Sequence, residues 1–220
     1  MVKTPCQQTF YKEMNLKKIN PNLQSALIEL GLTEPNPIQQ DTFSTLKSGA
    51  DCVIVSPPKS GKSSTIGLNV IQQLVAAGEE SPRALVIVED KEKVLAMMEI
   101  FHQFGMYTNL RVFGVHEKGD MDYDKNYIST GIDVLIGTPT RLNDMFSSAG
   151  FNVNRLKMFI VDDADVILKQ RHETKIMRLS DSISKTQRLI FSEAVTERVA
   201  LLADKMLIEP YWFEMEDEEN

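Results

Sequence analysis

The stretch SPPKSGKSS, Ser56 to Ser64, has the spacing most suited to chemistry in this chain. It follows the apolar run CVIV and leads into TIGLNVIQQLVAA, whose apolar residues recur as on an amphipathic helix. Phosphate-binding loops read G-x-x-x-x-G-K-[ST]. Here Gly61, Lys62 and Ser63 fit, while Ser56 stands at the first glycine position and Pro57, Pro58 and Lys59 fill the loop. In such a loop Lys62 reaches the β- and γ-phosphates and Ser63 sets its hydroxyl on Mg2+. The helix that starts near Lys62 adds free backbone N–H groups and a positive dipole end. A second run, FIVDDAD, is an apolar strand that ends in acids, the way P-loop NTPases hold magnesium, so Asp162 is the candidate Mg2+ ligand beside Ser63. Taken alone, GKSS reads equally well as a helix start in a polar loop. The strand before it, the helix after it and the distant acid-capped strand favour the nucleotide site.

These residues need a frame that brings them together. Six short runs rich in β-branched residues recur along the chain: CVIV (52–55), ALVIV (84–88), LRVFGV (110–115), IDVLIG (132–137), LKMFIVD (156–162) and RLIFS (188–192). None alternates strictly between polar and apolar, so both faces are expected to be covered, as in a parallel sheet. Segments such as EKVLAMMEIFHQF and RLNDMFSSAG between them have helical periodicity. The repetition predicts an α/β domain, a doubly wound, mainly parallel β-sheet with helices on both faces. Ligands of such sheets bind beyond the carboxyl ends of the strands. Lys62 and Ser63, Thr138 and Arg141, Asp162, Asp163 and Asp165, and Ser192 all directly follow strand runs and are expected to converge on one edge. HEKGDMDYDKN (116–126) breaks both periodicities and is expected to be a mobile loop.

Composition excludes several classes. The chain has 220 residues, 42% hydrophobic and 25% charged, and suits one α/β domain. No apolar run approaches the ~18 residues of a membrane span, and the N-terminus lacks a signal-peptide core. Cys6 and Cys52 make no disulfide framework, and Cys52 opens an apolar strand as a small hydrophobe. His102, His116 and His172 have no metal-ligand spacing. A reducing compartment, cytoplasm or nucleus, is expected. The net charge of −7 argues against a simple nucleic-acid footprint, yet five acids crowd the tail EMEDEEN, and without them the body is near neutral. The expected layout is a single domain over 1–213, with a flank at 1–40, and a solvated acidic tail over 214–220.

With these motifs in hand, the chain resembles the first RecA-like domain of the DEAD-box RNA helicases over nearly its whole length. GLTEPNPIQ (31–39) looks like the family's Q motif, with Gln39 as its glutamine, and Tyr11 in FYKEMNL is similar to the upstream aromatic, Phe10 being its alternative. SPPKSGKSS stands at the Walker A position, and VEDKEKV (88–94) resembles a worn PTRELA segment. Gly114 stands where a glycine pair is expected, GTPTRL (137–142) is similar to TPGR, VDDAD (161–165) to VLDEAD, and FSEA (191–194) to FSAT. The resemblance implies an ATP site of Tyr11, Gln39, Ser60, Gly61, Lys62, Ser63 and Ser64, with Lys62, Asp162 and Asp163 as catalytic residues. It implies an RNA-backbone grip from Lys91, Gly114, Thr138, Pro139, Thr140 and Arg141, and a coupling role for Ser192. The cofactors would be ATP and Mg2+, and the partners RNA, read without regard to sequence, and a second RecA-like domain or another protein.

The departures from the family pattern weaken that expectation. Pro58 removes a backbone N–H from the phosphate loop, and Lys59 puts a Cβ where a left-handed turn prefers glycine. Asp163 replaces the water-aligning glutamate with a side chain one methylene shorter. Glu193 and Ala194 replace Ala and Thr of FSAT, and Asp90 places an acid where a threonine meets the RNA backbone. The sequence after PYWF offers no second RecA-like domain, so the isolated chain, a fragment or a truncated paralogue, is not expected to unwind RNA. The resemblance implies a parent activity of RNA-dependent ATPase or helicase, weakened here. The alternative is a non-enzymatic RNA- or protein-docking scaffold, similar to degenerate helicase domains joined to Tudor domains in germline small-RNA factors.

Overall fold

Each β-branched run forms a short strand, and several of the helices between them start at side chains that cap them. In the computed structural model, which describes residues 18–78 and 80–216, the strands are β1 (Cys52–Val55), β2 (Ala84–Ile87), β3 (Val112–Val115), β4 (Val134–Gly137), β5 (Met158–Val161), β6 (Gln187–Ser192) and β7 (Tyr211–Glu214). The helices are α1 (Pro21–Glu29), α2 (Pro37–Ser48), α3 (Lys62–Leu74), α4 (Lys91–Phe104), α5 (Met121–Ser129), α6 (Pro139–Ser147), α7 (Ala164–Lys169), α8 (Glu173–Asp181) and α9 (Glu197–Met206). Asn36, Asp90, Asp120, Thr138 and Thr196 each accept a hydrogen bond from a first-turn N–H of the helix that follows.

The sheet order is β3-β4-β2-β5-β6-β1-β7, and every pair is parallel. Alternate residues of each strand feed two separate cores. Ile54, Val86, Ile160 and Phe191 pack with α1 to α4, and Val53, Val55, Leu85, Ile87, Phe159 and Ile190 with α5 to α9. This is the RecA-like, doubly wound arrangement expected from runs that lacked alternation. Cys52 is buried in the first core, and burial, then the neighbouring Asp51 carboxylate, pushes its thiol up to about 12. No helix among the described residues is long and apolar enough to cross a membrane.

Two local expectations need correction. The segment 116–126 is not a mobile loop through its length: only its first residues turn, and α5 begins at Met121. Asp120 caps it through the Tyr123 N–H at 2.8 Å, and Tyr127 stacks on Phe113 of β3 with ring centroids 4.3 Å apart. The cap and the aromatic contact hold a helix that the polar sequence conceals. The second is β7, which pairs parallel with β1 at the sheet edge and extends to Glu214, so the acidic stretch begins inside a strand. Tyr11 and the last acids, Asp217 to Glu219, lie outside the described residues.

At the amino ends of the strands a buried carboxylate ties the layers together. Asp133 accepts from Arg83 Nη2 at 2.7 Å, from Arg111 Nε at 2.9 Å and from the Gly78 N–H at 2.9 Å. Burial alone would raise its pKa, but the hydrogen bonds from Arg111, Gly78 and Arg83 prevail and hold it down at about 2. A lowered folded-state pKa means stability that is present above the ordinary value of 3.8 and lost as pH falls through about 2. Asp133→Asn is expected to cost about 3–5 kcal/mol in urea unfolding at neutral pH, because Arg83 is left buried and unmatched. The loss should shrink as pH drops through that window, and a variant as stable as the wild type at neutral pH would refute this role.

Candidate nucleotide-binding site

Because β6 lies between β5 and β1, the segments that follow these three strands share one edge. The loop Ser56–Gly61 leaves β1, Asp162 and Asp163 follow β5, and Glu193 follows β6. The Ser56 N–H donates to the Ser192 carbonyl at 3.0 Å, which fixes the root of the loop to the end of β6. Ser60 Oγ closes back on Ser56 Oγ at 2.9 Å. Lys59 adopts φ 63°, the left-handed geometry that glycine takes without strain, at a cost of about 1 kcal/mol or more for a lysine. Gly61 is left-handed too, at φ 99°, and a Cβ there would run into the Asn36 amide.

The start of α2 lies close against the loop at this point. Asn36 and Gln39 form a capping box, with Gln39 Oε1 accepting from the Asn36 N–H at 3.2 Å. Gln39 Nε2 donates to Ser64 Oγ at 3.3 Å, and Ser64 Oγ donates to the Gly61 carbonyl at 2.9 Å. The candidate adenine reader is thus a buried residue with both ends of its amide engaged. A groove of about 860 Å³ lined by Asn36, Asp41, Pro57, Lys59 and Met215 opens on this flank.

No side chain caps α3, and a helix start leaves its first N–H groups without partners in the helix, so Lys62, Ser63 and Ser64 present an anion-binding end. Ser63 Oγ lies 3.3 Å from Asp162 Oδ2. Burial, reinforced by the Asp163 charge, pushes Asp162 up to about 7 against the opposing pull of Lys93 and Lys62. Two hard oxygen donors, one of them an incompletely neutralised carboxylate, suit a Mg2+ that keeps waters and phosphate oxygens for its remaining positions. The candidate phosphate pocket is a cavity of about 400 Å³.

Within that pocket the charges already have partners. Lys62 Nζ donates to the Ser56 and Pro57 carbonyls at 3.2 and 3.3 Å, lies 3.4 Å from Glu193 Oε1 and 3.8 Å from Asp163 Oδ1. The other Asp163 oxygen accepts from Lys93 Nζ at 2.7 Å, and that hydrogen bond leads the effects that raise the Lys93 pKa. Asp163 itself is left-handed, at φ 47°. Sequence motifs pointed to neither Lys93 nor Glu193 as pocket ligands of these groups. Ser192 Oγ and the Glu193 N–H both donate to Asp165 Oδ1, at 2.8 and 3.1 Å, which joins the end of β6 to α7.

The residues expected to grip RNA form a second group at the start of α6. Thr138 is buried and caps the helix, and Pro139 occupies its first turn. Thr140 Oγ1 accepts from Lys175 Nζ at 2.7 Å, bringing in a lysine of α8 that no motif marked. Arg141 is buried: its Nη2 donates to Asp124 Oδ2 at 2.5 Å and to the Gly119 carbonyl at 3.0 Å. Lys91 sits half-exposed in the first turn of α4. Gly114 lies within β3, where a Cβ would press on Val94 and Met98 of α4, so close packing accounts for it.

Residues 36–202 match the sequence model of the DEAD/DEAH box helicases. Among curated proteins the chain is similar to the ATP-dependent RNA helicase eIF4A of Scheffersomyces stipitis, 26% identical over 196 residues, covering 88% of this chain and 48% of that protein. It is 27% identical over 198 residues to the DEAD-box ATP-dependent RNA helicase 30 of Arabidopsis thaliana, covering 86% and 33%. A third relative, the ATP-dependent RNA helicase DRS1 of Candida glabrata, is 25% identical over 205 residues, covering 91% and 28%. The chain therefore spans about half the length of these relatives or less.

The buried carboxylate of Asp162 opposes folding where it is ionised. Its folded-state value of about 7 lies above the ordinary 3.8, so the destabilisation is absent below 3.8, grows with rising pH and is complete above about 7. Asp162→Asn is expected to raise the stability of the ligand-free chain by about 1–2 kcal/mol at pH above 7 and by much less in mild acid. A thermal-melting series against pH checks this, and a gain independent of pH would contradict the assigned charge state.

Proposed function

The chain belongs to the DEAD/DEAH box helicase family, and from that premise we propose that it binds Mg-ATP and the RNA backbone as a weakened RNA-dependent ATPase domain. The observation that carries this reading is the 3.3 Å approach of Ser63 Oγ to Asp162 Oδ2, beside the uncapped start of α3. Ser63 and Asp162 would hold the metal, and Lys62 with the first N–H groups of α3 would hold the phosphates. Bound ATP would supply the phosphoanhydride bond whose hydrolysis the family couples to RNA.

Weakening follows from what the pocket residues must give up. Lys62 has to leave two carbonyls and Glu193 before its ammonium can serve a phosphate. Asp163 has to turn from Lys93 to orient a water, and its short side chain places the carboxylate about 1 Å from where a glutamate would reach, a displacement worth ~10²-fold in rate. Pro58 withholds one N–H from the phosphates. On the RNA side Thr140, Lys91 and Lys175 offer contacts to phosphate and sugar, which position a strand without reading its bases.

One observation favours the scaffold reading instead. Arg141 is committed to a buried ion pair with Asp124, so its guanidinium is withheld from the surface where RNA would run. Removing it should act first on stability, by about 3–5 kcal/mol, through the stranded Asp124.

Calorimetry with Mg-ATP separates these readings. The wild-type chain is expected to bind weakly, and Lys62→Ala and Ser63→Ala to lower affinity about tenfold or more. Unchanged affinity in both would remove them from the site. When the chain is joined to an intact second RecA-like domain, Asp163→Glu should raise RNA-stimulated turnover. Retained RNA binding with no turnover in either form would make the domain a scaffold.

A further inference from the structure

We propose that Glu193 sets the nucleotide preference of this pocket by holding the Lys62 ammonium as an internal substitute for a phosphate, which weights the site against the third phosphate. This inference rests on the nucleotide reading above and adds a specificity residue to it.

The sheet order makes the contact possible. With β6 between β1 and β5, the residue that follows β6 faces the phosphate loop on one side and the acid pair on the other. The backbone at this point is pinned, because the Glu193 N–H and Ser192 Oγ both hydrogen-bond Asp165 Oδ1. From that anchor the Glu193 side chain reaches into the cavity and comes within 3.4 Å of Lys62 Nζ. The lysine is held on three sides, by Glu193 and by the Ser56 and Pro57 carbonyls.

The two anions of the pocket are not equivalent. Asp163 is deeply buried and shared between Lys93 and Lys62, at 2.7 and 3.8 Å. Glu193 is 38% exposed, so its carboxylate can be displaced into water, but only by a ligand that replaces it on Lys62. A diphosphate seated on the N–H groups of α3 can draw on the helix start for most of its charge compensation. A third phosphate makes Lys62 serve two phosphates rather than one, and brings its charge against the Glu193 and Asp163 carboxylates. Like charges a few ångströms apart at a partly exposed site alter affinity by about tenfold.

The test is a titration of the wild-type chain and of Glu193→Gln with ADP and with a non-hydrolysable ATP analogue, each with Mg2+. The amide keeps the shape and removes the charge. The wild type is expected to favour ADP, and Glu193→Gln to raise affinity for the triphosphate analogue about tenfold while changing that for ADP less than about threefold. Glu193→Lys should move the ratio further in the same direction. Equal changes for both nucleotides, or none, would overturn the role of Glu193 and leave the nucleotide reading intact. Absence of binding by wild type and variants alike would overturn both.

Discussion

The parallel ladder that places β6 between β5 and β1 is the constraint on which the site depends. It puts the ends of three strands side by side, rooted by the hydrogen bond from the Ser56 N–H to the Ser192 carbonyl. Ser63 of α3, Asp162 just after β5, a lysine at the start of α3 and a glutamate at the end of β6 then meet without any long side chain having to search for its partner. The strands are sealed on both faces by separate apolar cores, so the edge cannot adjust by sliding one strand against another. Chemistry in this fold is set by the residues at the strand ends.

The charged groups at these strand ends share a physical character, internal charge pairing. Lys62 rests on carbonyls and Glu193, Asp163 on Lys93, and Arg141 on Asp124. Each pair satisfies groups that would otherwise be buried and uncompensated. A domain built this way is more self-sufficient without ligand, and binding any phosphate requires an exchange of partners rather than the filling of a waiting site. Lys59 and Asp163 run against this tendency, since both hold left-handed backbone without the freedom of glycine.

Much of this was legible in the residues. The β-branched runs without alternation gave the parallel, doubly covered sheet, and the spacing around Gly61 together with the acid-capped run gave the approach of Ser63 to Asp162. Lys59, where a left-handed turn prefers glycine, pointed to a strained turn. What stayed hidden depends on contacts between residues far apart in the chain. Nothing in EKGDMDYDK signals that Asp124 will receive Arg141, or that Tyr127 will stack on Phe113 and steady α5. The run YWFE is too short and too exposed to announce a strand, and it forms one because β1 offers it an edge. Glu193 stood out as a departure from a motif, but its partner lies 131 residues away.

The position of β7 has an optical consequence. The chain has one tryptophan, Trp212, and it sits 41% exposed on that edge strand, opposite Val53 of β1. The strand ends at Glu214, and Glu214 and Met215 line the groove beside Pro57, Pro58 and Lys59. Indole emission from this protein therefore reports on a partly exposed edge strand and not on either apolar core. Its colour and yield will follow the docking of the edge strand, while the two cores, rich in Phe, Ile, Leu and Val, are silent at those wavelengths.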